Sequence, residues 1–341
     1  MTFRWFGRED PIPLVHIRHI PGVSGVVSAL YDVPVGAAWS RERLQGLKGE
    51  IEGAGLTFAV VESIPVHEDI KLGRRGRDRL IANYCESVRA MGALRIPVLC
   101  YNFMPVFDWL RTDLAQPLAD GSTALAYDDR ALAAVDLTRG TGDLPGWATA
   151  YGPEELERLL AAYREVDAER LWDNLAYFLE RVVPVAEQAG VRMAIHPDDP
   201  PWPIFGLPRI ICRGPDLERL VALVDKPANG VTFCTGSLGA DPENDLPAMV
   251  RRIGDRIHFA HCRNVRVTGE RAFHETPHPS ACGGVDMLEV LRALRDVGFA
   301  GPMRSDHGRM IWGETGRPGY GLYDRALGAM YLYGLWEGLT R

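Results

Sequence analysis

The sequence predicts an α/β chain folded as a single (β/α)8 TIM barrel with a long insertion after the fourth strand, and three observations carry that expectation. Eight short apolar runs rich in Val, Ile and Phe alternate with stretches of helical period, the pattern of parallel strands joined by crossover helices. A length of 341 residues suits one such barrel, which often exceeds ordinary domain size. No internal repeat, low-complexity tract or linker divides the chain, so residues 1–341 are expected to form one domain.

The runs are Phe3–Phe6, Gly25–Leu30, Thr57–Glu62, Ile96–Tyr101, Arg192–His196, Val231–Thr235, Ile257–Cys262 and Pro302–Asp306. Between them, Asp286–Val297 repeats Met287, Leu288, Leu291 and Leu294 at helical spacing, with Gly298 placed to stop the helix. Ala168–Ala189 carries one apolar stripe through Leu171, Leu175, Phe178, Leu179 and Val182; Pro184 should kink it and Gly190 end it. From Tyr101 to Arg192 there are about 90 residues, far more than a loop and helix need. Residues 102–152 are therefore expected to form an elaborated loop over the barrel mouth, followed by two helices starting near Pro153.

With 38 Lys+Arg against 45 Asp+Glu, the net charge of −7 argues against a nucleic-acid partner, which would need a basic surface. No run approaches the roughly 20 apolar residues of a membrane span, and MTFRWFGREDPIP lacks the apolar region of a signal peptide. A soluble, cytoplasmic protein without membrane contact is expected. Its six cysteines are far apart, with no CxxC pair, as reduced thiols would be.

The ends of the last four runs concentrate the chemistry. IHPDDP supplies His196, TFCTGS supplies Cys234, FAHCRN supplies His261, and RSDHG supplies Asp306 and His307. Taken singly, a strand-end His is more often a hydrogen-bonded structural residue and a lone Cys a small buried hydrophobe. Their recurrence at corresponding positions of consecutive strands points instead to a metal site. Strand alternation puts Ile257, Phe259 and His261 on one face and His258 on the other, so His261 is the candidate. Donors spread over about 110 residues favour a catalytic site assembled by the fold, and imidazole with thiolate suits zinc first, ferrous iron or manganese next. His67 and Asn102, after the third and fourth runs, are candidates to reach a ligand, whereas His16 and His19 receive no role. Arg263 offers a bidentate carboxylate clamp, with a structural ion pair as the alternative.

These residues lie in segments that resemble the D-mannonate dehydratases of hexuronate catabolism. The matching strings are WFG (5–7), VESIPVHEDIKLG (61–73), CYNFMPVFDWLRTDL (100–114), MAIHPDDP (193–200), FCTGS (233–237), DHG (306–308) and PGYGLYDRALG (318–328). The resemblance implies a TIM-type barrel that uses a divalent metal, Mn2+ or Fe2+, to convert D-mannonate to 2-dehydro-3-deoxy-D-gluconate and water. It implies His196, Cys234, His261 and Asp306 as metal ligands and His307 and Tyr320 as proton-transfer residues, with Tyr323 structural. On the metal the expectation follows the resemblance, since softness discriminates poorly among these ions. Ser305 and Cys262 replace an expected Pro and Leu; neither removes a functional side chain, so they bear on the choice of sugar acid. The alternatives are a metal-dependent sugar or sugar-acid isomerase or epimerase on the same barrel, and a catalytically silent sugar-acid binding protein. His307 and Tyr320 beside a complete ligand set argue against the latter. The acidic exterior is compatible with an anionic substrate, because a buried cation makes one pocket locally positive. MYLYGLWEGL near the C-terminus is expected to cover the barrel, with contact to a second copy in a homo-oligomer as the alternative.

Overall fold

A computed structural model describes residues 1–135, 146–148 and 151–341. Each expected run contributes a strand: β1 (Thr2–Arg4), β2 (Gly25–Ser28), β3 (Thr57–Glu62), β4 (Val98–Tyr101), β5 (Arg192–Ile195), β6 (Asn229–Cys234), β7 (Ile257–His261) and β8 (Met303–Arg304). They pair in sequence order, all parallel, as one eight-stranded sheet. At the seam, the Thr2 hydroxyl donates to the Met303 carbonyl at 3.0 Å, leaving a nearly closed barrel.

The strands' alternation sorts two cores. Val27, Val60, Val98, Cys100, Ala194 and Phe259 fill the barrel interior, while the opposite faces pack against the helices. Phe259 and His261 point inward, and His258 is buried on the helix side, as the alternation predicts. Helix Met287–Asp296 buries Met287, Val290, Leu291 and Leu294 and stops before Gly298, whose φ of 72° is the left-handed turn a glycine supplies cheaply. Helix Ala168–Ala189 runs unbroken through Pro184 and ends on Gly190.

The long insertion is more ordered than a loop. Strands Asp113–Pro117 and Thr123–Asp128 form a hairpin, and the second pairs with Ala272–Thr276 from another hairpin, Asn264–Thr276, that follows β7. The resulting four-stranded antiparallel sheet joins two distant insertions. Tyr127 stacks on Phe273 across the junction, with Trp202 edge-on beneath the pair. The hairpin after β7 is absent from the sequence expectations. Residues 136–145 and 149–150 of the expected 102–152 loop lie outside the described residues; helices Pro153–Tyr163 and Ala168–Ala189 follow as expected.

The C-terminal helix, Tyr323–Thr340, buries Gly328, Ala329 and Leu332 but exposes Leu327, Met330 and Tyr333. MYLYGLWEGL thus covers the barrel with one face only. Among the described residues no helix is long and apolar enough to cross a membrane.

Leu291 is fully buried between barrel and helix layer, so Leu291→Ala is expected to cost about 2–5 kcal/mol by chemical denaturation.

Candidate active site

The C-terminal ends of the strands open into a pocket of about 410 Å³, whose walls include Glu62, Asn102, Trp109, His196, Arg263, Arg304, Asp306, His307 and Tyr320. Placement at this end of the strands is where barrels of this kind put their functional groups.

Ligand atoms of His196, Cys234 and His261 lie within 4.8 Å of one another. His196 directs Nδ1 to the Pro197 carbonyl at 2.7 Å, which fixes the ring and leaves Nε2 for the cluster. The Cys234 sulfur accepts from the Ser237 hydroxyl at 3.2 Å. His261 is completely buried, yet neither ring nitrogen has a hydrogen-bond partner. Buried polar atoms are normally satisfied, so two orphaned nitrogens beside a thiol and a second imidazole mark a place where a metal ion fits. The Asp306 carboxylate stands 3.7 Å from His261 Nδ1 and 4.0 Å from the Cys234 sulfur, within reach of the same cluster.

Charge in the site follows the same logic. Burial opposes the thiolate, but Arg263 and His196 outweigh it and hold Cys234 well below the ordinary thiol range. Burial likewise works against a charged His196, while Cys234 and Asp306 carry it up to about 9. A second grouping, Glu62, Cys100 and His261, is a weaker candidate. Burial, and then Glu62, push the Cys100 thiol well up, and one Glu62 oxygen already serves both Arg4 and Arg304.

Asp306 has a φ of 62°, which breaks strand alternation just past β8 and lets consecutive Asp306 and His307 both face the pocket. His307 is held at both nitrogens: Nδ1 lies 2.8 Å from a Glu275 oxygen and Nε2 lies 2.8 Å from the Tyr320 hydroxyl. Trp109 packs on the imidazole with ring centres 5.1 Å apart. Burial raises the Tyr320 phenol above its usual range, and Asp306 adds to the shift. Tyr323, by contrast, is exposed and packs on Trp312.

Beneath His307 lies a buried four-charge network. Arg111 bonds both Asp199 oxygens at 2.8 and 3.0 Å and Glu275 at 2.9 Å. Arg263 bonds Glu275 at 2.7 Å, Asp199, and the Ser237 hydroxyl at 3.1 Å, with Nε 2.8 Å from Asp306. Arg263 therefore lines the pocket but has no free donor pair to clamp a substrate carboxylate. Gly236 makes this packing possible, since a Cβ there would sit 2.6 Å from the Arg263 guanidinium carbon.

Asn102 reaches the pocket wall, where its Oδ1 accepts from the Met104 amide at 3.2 Å. His67 does not reach it: its Nδ1 accepts from the Asp69 amide at 3.0 Å, capping helix Glu68–Lys71, and its ring lines a separate small hollow. Neither Ser305 nor Cys262 lines the pocket; the Ser305 hydroxyl donates to the Arg325 carbonyl at 2.9 Å. Glu62, Arg111, Asp199, Glu275 and Arg304 are the site residues that sequence reasoning passed over. Glu62 and Asp199 lie inside the quoted motifs VES and HPDDP, whereas Glu275 sits on the unanticipated hairpin and carries no sequence signal.

The D-mannonate dehydratase (UxuA) family model matches residues 1–341. The chain belongs to the D-mannonate dehydratase family. It is 54% identical over 342 residues to mannonate dehydratase 2 of Halalkalibacterium halodurans, covering 100% of this chain and 99% of that one. The crystal structure of mannonate dehydratase from Streptococcus suis serotype 2 superposes with a TM-score of 0.94 at 51% identity, covering 100% of this chain and 95% of that one. A D-psicose 3-epimerase from Clostridium cellulolyticum H10 shares 14% identity at a TM-score of 0.57 over 99% of both chains, a likeness of fold alone. Family membership thus favours the dehydratase expectation over the epimerase alternative.

Two outcomes follow for this site. Cys234→Ser is expected to lower bound metal measured by elemental analysis, since a hydroxyl is a poorer ligand than a thiolate. Burial would raise the Glu275 carboxyl, but His307 and Arg263 hold it at about 2, below its ordinary 4.5. Its stabilising contribution is therefore complete above pH 4.5 and is lost as pH falls through about 2. Glu275→Gln is expected to cost about 3–5 kcal/mol in denaturation at pH 7, with the gap to wild type closing on acidification.

Proposed function

We propose that this chain dehydrates D-mannonate to 2-dehydro-3-deoxy-D-gluconate and water, with residues 1–341 acting as one catalytic domain in the cytoplasm. The single observation that carries the reading is the His307–Tyr320 pair, hydrogen-bonded at 2.8 Å on the wall of a pocket that also holds the metal-type donors.

His196, Cys234, His261 and Asp306 would hold the divalent ion, Mn2+ or Fe2+. The chemistry supplied by such an ion is Lewis-acid polarisation of the substrate's oxygens. The remaining work belongs to the chain. The substrate proton to be removed sits on the carbon next to a carboxylate and is weakly acidic, and the hydroxyl on the following carbon leaves poorly, so a base and an acid are both needed.

Glu275 is an acceptor held ionised, so it keeps the His307 proton on Nδ1 and leaves Nε2 with its lone pair. His307 is the base in this reading. Tyr320, whose phenol is pushed upward, keeps its proton until the hydroxyl departs, and so serves as the acid. The C–H bond breaks and its proton goes to His307 Nε2; the electron pair moves toward the carboxylate and returns to expel the neighbouring hydroxyl. That hydroxyl leaves as water with the Tyr320 proton, and the enol product becomes the 2-keto acid. Trp109 packs against both rings and limits water around the pair.

Metal-replete protein given D-mannonate is expected to yield a 2-keto-3-deoxy acid that reacts with a carbonyl reagent, and chelation to abolish it. No keto product from any of a panel of aldonates overturns the reading. His307→Asn and Tyr320→Phe are each expected to lower kcat by about 10²–10⁴-fold while leaving metal content unchanged.

A further inference from the structure

The two ring nitrogens of the fully buried His261 look toward different neighbours. Nδ1 lies 3.7 Å from Asp306 Oδ2, and that same oxygen is 4.0 Å from the Cys234 sulfur, so the metal-type donors gather on the Nδ1 side. Nε2 instead faces Glu62 Oε2 at 3.5 Å. Both of these atoms are buried, and neither has a hydrogen-bond partner. Orphaned buried donors and acceptors are costly, above all on a charged group. The ring's other neighbours offer Nε2 little. Phe259 stands perpendicular to the imidazole with ring centres 4.5 Å apart, and Cys100, which already accepts from the Thr232 hydroxyl at 3.2 Å, is a weak acceptor. The second Glu62 oxygen takes Arg4 at 3.0 Å and Arg304 at 2.9 Å, which keeps the carboxylate ionised and fixed with Oε2 turned toward His261.

We infer that Glu62 is a positioning residue for the metal site: it accepts a hydrogen bond from His261 Nε2, which settles the ring proton there and presents Nδ1 to the ion. The inference rests on the ligand set proposed above and adds which nitrogen each histidine uses. His196, whose Nδ1 is at the Pro197 carbonyl, binds through Nε2, and His261 binds through Nδ1. A carboxylate on the remote nitrogen fixes the plane of the ring and makes the ligating nitrogen a stronger donor. Glu62 acts here through the imidazole and not as a ligand of its own, because one oxygen is occupied by two guanidinium groups and the other lies on the Nε2 side of the ring. Arg4 and Arg304 thereby serve the site without touching substrate: they hold the carboxylate that holds the histidine.

The test loads the full chain, with isotope-labelled histidine, with Zn2+ as a diamagnetic probe and reads the ring nitrogens by heteronuclear NMR. Two metal-bound histidines are expected, one through Nδ1 and one through Nε2. Two histidines both bound through Nε2 overturn the assignment and leave the ligand set standing, whereas Zn2+ that perturbs no histidine overturns both. Zn2+ affinity, measured by competition with a chelator, is the second arm. Glu62→Gln is expected to weaken Zn2+ by about 10–100-fold in the wild-type background. With His261 already replaced by Ala the same substitution is expected to cost less than about twofold, since nothing is left for Glu62 to act through. No loss in the wild-type background, or an equal loss in both, overturns the assignment, the latter because Glu62 would then act on the ion directly. Should a variant fail to fold, the NMR pattern of the wild-type protein decides. Protein that shows the expected pattern yet yields no keto product from D-mannonate would support this assignment and overturn the dehydratase reading.

Discussion

The buried ionic network of Arg111, Asp199, Arg263 and Glu275 ties the two insertions that form the four-stranded antiparallel sheet to the barrel. Asp199 follows β5 and Arg263 follows β7, whereas Arg111 comes from the insertion after β4 and Glu275 from the hairpin after β7. Every charge in the set is almost wholly out of water, so each depends on the others for compensation. Glu275 spends one oxygen on both arginines and on His307. The orientation of the proposed base therefore depends on two insertions being correctly docked.

The same economy extends to the metal-type donors. Arg263 stands between the network and Asp306, and favours the thiolate of Cys234. Removing cations from this neighbourhood would leave several buried anions uncompensated; adding one at the His196–Cys234–His261 cluster reinforces a pattern already present. On the pocket walls Arg4, Arg263 and Arg304 stand against Glu62, Asp108, Asp199 and Asp306, so the charge pairing of the site is set by residues other than those of the acidic surface.

Much of the architecture was legible because alternating apolar runs and helical periods report directly on burial. All eight barrel strands, the inward face of His261 and the stops at Gly190 and Gly298 follow from that signal. The four-stranded antiparallel sheet did not, since its partners Thr123–Asp128 and Ala272–Thr276 lie far apart in sequence and pairing of this kind leaves no local periodicity. Strand-end residues at His196, Cys234 and His261 were readable as a group because the barrel places successive strand ends together. Arg304 and Glu275 were not: an arginine in a strand and a glutamate in a hairpin look like solvated charges until burial is known. His67 was misleading for the converse reason, as its motif abuts the site but its side chain serves as a helix cap.

The seam between β1 and β8 carries a consequence for how the protein assembles. Thr2 and Met303 are joined across 301 residues, and Arg4 meets Arg304 on Glu62 at the same place. Contacts of such sequence separation form late, because the loop they close must be ordered first. The Arg4–Glu62–Arg304 wall of the pocket is therefore complete only once the last strand has docked on the first. A chain that ends before β8 keeps His196, Cys234 and His261 but lacks Asp306, His307 and Tyr320 together with that wall, so the site is completed by the last strand.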